Sequence, residues 1–238
     1  MRKQNAVSVH RKSRLASFGL ATGAMLLMAA IASAQGPPPG GGPGGPGGPG
    51  GGMPPPPPPT AGAHLAITDG SSATYSVTEQ FVGINFPNDA MGTSTSVSGT
   101  IGINAEGGIE PGSKLSIDLR NLKSDQDQRD NFIKTRTLET DKFPMAEFVP
   151  TKIKGIPTLI PFQGQTGVEL TGNMTIHGVT KEVTFQGIAT FGRDGTIAGR
   201  AKTSFTFATF GITKPSIGRL MNVDDKISLD ILFKFKRS

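Results

Sequence analysis

The chain has 238 residues, with 24 Lys and Arg against 18 Asp and Glu for a formal charge of +6, and it has no cysteine, no tryptophan and a single tyrosine. Without cysteine there is no disulfide, thiolate metal site, cysteine nucleophile or lipidated cysteine. Arg2, Lys3, Arg11, Lys12 and Arg14 hold five of the cations and lie ahead of every acid, so 19 cations face 18 acids beyond them. A nearly neutral remainder with no long basic run excludes nucleic acid as the expected partner.

In chain order, residues 1–34 read as a signal peptide. The five cations precede an apolar run from Phe18 to Ile31 that ends in Ala32-Ser33-Ala34. That run is short and broken by Gly19, Thr22 and Gly23, below the roughly 20 residues that span a bilayer. Cleavage after Ala34 and a periplasmic or secreted location are the expectations. Residues 35–60 read as a disordered linker, because residues 36–59 are glycine and proline apart from Met53 and cannot bury a core. The tract serves either as a spacer or as a docking segment for an envelope partner.

From Ala61 to Ser238 the composition shifts to β-branched residues and phenylalanine in short alternating runs, about 175 residues that suffice for one core. In "KLSIDLR", Leu115, Ile117 and Leu119 alternate with polar residues. In "KISLDILFKFK", Ile227, Leu229, Ile231, Phe233 and Phe235 share one face. Both show the two-residue period of a half-buried strand. Similar runs cover 73–79, 95–103, 146–153 and 195–209, and in "TSFTFATF" Phe210 falls on the opposite parity from Phe205 and Phe207. Only residues 125–139 read as helical, with Asp125 or Asp127 as cap and Phe132, Ile133 and Arg136 at helical spacing. The expected fold is all-β, an antiparallel lipocalin-like β-barrel or a sandwich with one short helix.

The segment "GNMTIHGVTKEVTF" decides between chemistry and architecture. Met174 and Ile176 share the apolar parity, His177 falls on the polar one immediately before Gly178, and Val179, Val183 and Phe185 resume an apolar run. Two strands meeting near a glycine signal a hairpin, so His177 is expected to shape a turn. Chemistry would need partners that the sequence does not display. The only other histidine beyond residue 34 is His64, beside the linker, and G-x-S-x-G is absent. "DQDQRD" lacks the glycine and distal glutamate of a calcium loop. Neither metal nor cofactor is expected, and no catalytic residue is assigned.

In order along the chain, "SIDLRNL", "QRDNF", "DKFPMAEF", "LTGNMTIHGVTKEVTF" and "ATFGI" resemble the YceI-like family over about residues 72–236. The most specific element is "GNMTIHGVTKEVTF", with His177, Gly178 and Thr180, followed by Arg129-Asp130 and by Phe143-Pro144 with Phe148. Departures are Tyr75 where a tryptophan or phenylalanine is usual, "TLET" in place of an aromatic pair, and "FATFG" without the arginine often found shortly before the late phenylalanine-glycine. The resemblance implies an exported lipocalin-like barrel that holds a polyisoprenoid chain, an isoprenoid lipid or quinone, in an apolar tunnel for carriage, storage or stress protection.

Candidate lining residues are Phe132, Phe143, Phe148, Phe185, Phe205, Phe207 and Phe210, while Arg129, Asp130, Pro144, His177, Gly178, Thr180 and Gly211 are motif positions of structural weight. Two readings stay open beside it: an envelope interaction module using the Gly/Pro tract, and a lipid-modifying enzyme using His177. A transient membrane or envelope contact and a homodimer also stay open as partners.

Overall fold

The computed structural model describes residues 53–83, 86–216 and 220–238. The stretch read from the sequence as a signal peptide and most of the stretch read as a linker, residues 1–52, lie outside the described residues. Met53–Pro59 runs as irregular chain, and the Pro54 carbonyl accepts a hydrogen bond from Arg193 at 3.1 Å.

Thirteen strands follow among the described residues: β1 (Thr60–Ala61), β2 (Ala63–Ile67), β3 (Ser72–Phe81), β4 (Asn88–Ser94), β5 (Val97–Ile103), β6 (Lys114–Asp118), β7 (Met145–Lys154), β8 (Leu159–Ile160), β9 (Gly164–Ile176), β10 (Val179–Phe191), β11 (Thr196–Thr206), β12 (Leu220–Val223) and β13 (Lys226–Arg237). The main sheet runs β11-β10-β9-β7-β6-β5-β2-β13, and pairing of β11 with β13 from Thr196↔Lys236 to Thr206↔Lys226 closes it. β1 pairs separately with β8. Closure leaves the strands along this path without a free sheet edge, which an open sheet of this size would have to protect.

The barrel is eight-stranded because its first two strands are bent. β2 pairs with Phe235–Arg237 of β13, and β3 pairs with Ser228–Leu232 of the same strand. At the bend, the buried Ser71 hydroxyl accepts the Lys234 N–H at 2.9 Å and donates to the Thr68 carbonyl at 3.0 Å, replacing ladder bonds that the kink removes. β4 and β5 share the second position. There Ser94, fully buried, donates its hydroxyl to the Asp118 carbonyl at 2.9 Å.

The alternation read from the sequence sets the faces. Ala146 and Phe148 on β7, Met174 and Ile176 on β9, and Ile227, Leu229 and Phe235 on β13 are all buried. They gather into two hydrophobic clusters, one around Met174, Phe207 and Leu229 and one around Ile101, Ile197 and Phe235.

Two local differences from the sequence reading stand out. The segment expected to be helical over 125–139 divides into α1 (Asp127–Phe132) and a π-helical turn at Ile133–Thr137, where the Leu138 N–H reaches the Ile133 carbonyl at 2.8 Å. Neither Asp125 nor Asp127 caps it, since the cap position is Gln126 and has no side-chain bond. The wider turn shifts the inward face, so Thr137 is buried and Arg136 is exposed. The second difference lies at 207–210. Strand β11 stops at Thr206, where Thr206 and Thr209 cap a 3₁₀ turn over Phe207–Phe210, and Gly211 ends the turn at φ 64°. Three-residue spacing then points Phe207 and Phe210 both inward, which strand parity could not do.

Candidate ligand-binding site

Burial inside the barrel is incomplete, and the space left is apolar. The larger cavity has a volume of about 500 Å³. β3 lines it with Ala73, Tyr75, Val77, Glu79 and Phe81; Phe132, Ile133 and Leu138 come from the helical segment; Phe205, Phe207 and Ile212 come from the end of β11 and the turn beyond. A smaller cavity of about 120 Å³ is lined by Phe148, Phe185, Ile197, Phe233 and Phe235, among others. The larger cavity by itself falls within the range of small-molecule sites, where apolar walls supply affinity and a few polar groups fix orientation.

Those polar groups cluster on β3 and α1. The Arg129 guanidinium donates to Glu79 Oε1 at 2.9 Å with both side chains nearly buried, at 12% and 11% exposure, and it also pairs with Asp125 one helical turn earlier. Loss of solvent pulls its pKa down, but Glu79 and Asp125 outweigh this and hold it above its ordinary value. Among the described residues lining the larger cavity, Arg129 is the only cation, and both its partners are anions. Asp130 is buried and accepts the Ser124 N–H at 2.8 Å, fixing the loop into α1.

Tyr75 lies between these charges and the apolar wall. Its ring covers the cross-strand Gly92, where a Cβ would come within 2.4 Å of the ring. Its hydroxyl is buried without a hydrogen-bond partner. Burial pushes the Tyr75 phenol well above its ordinary value, so it stays a neutral donor.

Of the seven phenylalanines named from the sequence, Phe132, Phe205 and Phe207 line the larger cavity and Phe148 and Phe185 line the smaller. Phe148 and Phe185 meet edge to face with centroids 5.3 Å apart. Phe210 is fully buried against Phe205 at 4.8 Å and lines neither cavity. Phe143 also lies outside both and packs on His177 at 4.8 Å. Sequence reasoning passed over Glu79 and Met174 as site residues. The signal for Glu79 was an acid on the same parity as Ala73, Tyr75 and Val77; Met174 was visible only as one apolar position among many.

The histidine question resolves in geometry. β9 ends at Ile176 and β10 starts at Val179, so His177 and Gly178 form a two-residue turn with φ of 51° and 75°, the left-handed pair that a tight hairpin requires. His177 Nε2 lies 3.0 Å from Glu139 Oε2, and Glu139 itself has φ 47°. Lys142 first, and His177 next, hold the Glu139 carboxyl below its ordinary value. The Thr175 and Thr180 hydroxyls bond across the hairpin at 2.8 Å, and the Pro144 carbonyl accepts the Leu119 N–H at 2.9 Å. These motif residues tie the chain leaving the helical segment to the β9–β10 turn. His177 lines neither cavity.

Among the described residues no group of three or more His, Cys, Asp or Glu is placed to hold a metal ion, and no helix is long and apolar enough to cross a membrane.

Residues 67–235 match the YceI-like domain. The chain belongs to the YceI-like family. A UPF0312 protein of Pseudomonas putida strain W619 is 39% identical over 113 residues, covering 43% of this chain and 54% of the relative. One from Pseudomonas fluorescens strain SBW25 is 38% identical over 128 residues, covering 50% and 62%. This chain thus matches between half and two thirds of those relatives' length. Among solved structures, a polyisoprenoid binding domain from Saccharophagus degradans, described as implicated in plant cell wall breakdown, superposes with a TM-score of 0.55 at 12% identity, covering 74% of this chain and 99% of that one. BcnA of Burkholderia cenocepacia gives 0.51 at 18% identity, covering 68% and 95%. These two share the fold of this YceI-like chain.

Proposed function

We propose that this YceI-like protein is an exported carrier or sequestering protein that holds the chain of an isoprenoid lipid in its barrel. The observation that carries the reading is the apolar cavity of about 500 Å³ with its polar groups gathered on β3 and α1. The similar fold of a protein described as a polyisoprenoid binding domain supports it. Burying a carbon unit is worth about 0.8 kcal/mol, so a chain of about fifteen carbons gains about 12 kcal/mol before ordering costs. Half of that, about 6 kcal/mol, gives binding at about 40 micromolar.

The electrostatics favour a neutral head group. Arg129 is already neutralised by Glu79 and Asp125, so a phosphate would find no unpaired cation among the described lining residues. A quinone carbonyl or a prenol hydroxyl carries no such demand. Export belongs to the same proposal and is tested by N-terminal sequencing, which should begin at Gln35 of the mature protein. Deleting residues 36–59 separates a spacer, which leaves lipid binding intact, from a docking tract, whose loss removes partner capture.

The test of binding is native mass spectrometry of the gently purified mature protein with organic extraction of whatever co-migrates. A stoichiometric isoprenoid adduct is expected. Val77→Trp, which fills the larger cavity from β3, should abolish the adduct while far-ultraviolet circular dichroism stays unchanged. An empty protein that also refuses added quinones and prenols would refute the reading.

A further inference from the structure

The two cavities share three lining residues, Ile117, Ala146 and Met174. They come from adjacent strands: Ile117 faces Ala146 across the β6–β7 ladder, and Met174 lies on β9, paired with Phe148 of β7. Of the three, Ala146 has no side chain beyond Cβ, and Ile117 is β-branched with a restricted rotamer. Met174 is buried at 2% exposure and carries a long, unbranched thioether, the side chain type that most readily fills or vacates an irregular gap.

Volume gives the boundary a meaning, on the premise that the isoprenoid reading holds. At interior packing density an isoprene unit of five carbons occupies about 110 Å³, so the larger cavity accommodates about four units and the smaller about one. We infer that Met174 is a specificity-determining residue that ends the chain seat in the larger cavity and closes off the smaller one as an unused extension. The protein then measures chain length. Affinity rises with each unit until the seat is full, and any further length stays outside the apolar wall.

Prenols of two to seven isoprene units, delivered from cyclodextrin, test this. Tyr75 is the only tyrosine, tryptophan is absent, and the ring lines the larger cavity, so intrinsic tyrosine fluorescence reports occupancy from a single site. Paired competitions read by native mass spectrometry rank the chains. In the wild-type protein affinity should rise on the order of tenfold or more per unit up to about four units and less than twofold per unit beyond. Met174→Ala joins the chambers and should carry the rise to five or six units. Met174→Val, which keeps a good strand former, is the second variant if the alanine protein does not fold. Adding Ala189→Leu, at a residue that lines only the smaller cavity, should return the limit to its wild-type length.

A rise that continues past six units in the wild-type protein, or an unchanged limit in both Met174 variants, would overturn the inference and leave isoprenoid binding standing. Failure of every prenol to bind would overturn both.

Discussion

The pair Glu79–Arg129 offers the sharpest test of how the barrel tolerates charge beside an apolar cavity. Arg129→Met removes the guanidinium and keeps the aliphatic stem, leaving the Glu79 carboxylate at 11% exposure with its principal partner gone. Breaking a buried ion pair from one side costs about 3–5 kcal/mol. Glu79 keeps a little contact with solvent and can be partly hydrated, which places the loss at or just below the lower end of that range, at about 2–3 kcal/mol. Glu79→Gln should cost less, about 1–2 kcal/mol, because an amide tolerates burial better than an isolated carboxylate and still accepts from Arg129. The double variant should recover at least about 1 kcal/mol over the sum of the two, since the orphaned charge is absent. Urea unfolding followed by circular dichroism supplies the three free-energy differences of the cycle. Additive losses, with coupling under about 0.5 kcal/mol, would show that the pair is a solvated contact with no share in anchoring α1 to β3.

Tyr75→Phe deletes a buried hydroxyl that has no partner, so it should stabilise the ligand-free protein by about 1 kcal/mol, and a loss of stability in urea would contradict that. In the wild-type protein the raised phenol pKa means the unfolded chain ionises first, so stability falls as pH rises above the ordinary tyrosine range. Tyrosinate absorbance should therefore appear together with alkaline unfolding; its appearance in the folded protein near pH 10 would refute the burial argument. Gly178→Ala places a Cβ at φ 75° and within 2.8 Å of the Phe143 ring, and should cost about 1–2 kcal/mol or more in thermal unfolding. His177→Asn, which suits the left-handed conformation, should cost less than His177→Val, and equal losses would mean that the turn geometry is not what selects this position. Asp194 accepts from the Thr196 hydroxyl and N–H and faces Lys236, which hold its pKa lowered to about 2. With the folded value depressed, its stabilisation is present above the ordinary carboxylate range and fades as pH falls from about 4 to about 2. The difference in Tm between wild type and Asp194→Asn should shrink over that window, and a constant difference would rule the linkage out.

The barrel was legible in the sequence because its strands are half-buried and alternate strictly. β13 shows the pattern most clearly, since every second residue from Ile227 to Phe235 is apolar and the structure turns that face inward. The hairpin at His177-Gly178 was legible for the same reason, as a change of parity at a glycine. Where a turn replaces two-residue alternation with another period, the reading failed: Phe210 looks outward on strand parity and is fully buried on the 3₁₀ turn, and the π-helical turn after Phe132 moves the inward face from Arg136 to Thr137. These local hydrogen-bond choices, Thr206 with Thr209 and Leu138 with Ile133, leave no hydropathy signature.

The site was less legible than the fold, for a physical reason that Phe205 and Phe210 make plain. Alternation assigns a residue to a face and says nothing of how far from the barrel axis its side chain ends. Phe205 lines the larger cavity while Phe210, packed against it at 4.8 Å, is sealed in the wall, and both are apolar and inward. Whether an inward side chain closes the interior or leaves space depends on its neighbours on three or four strands at once. The small residues Ala73, Ala90 and Ala146 open room that phenylalanines elsewhere fill. A cavity is thus a property of cross-strand combinations, and a linear pattern carries it only where something breaks the apolar rule. Glu79 is such a break: an acid placed on the inward parity of β3 has to be answered by a buried partner, and Arg129 on α1 answers it. The same charge that marks the cavity in the sequence therefore fixes the helix that lines it.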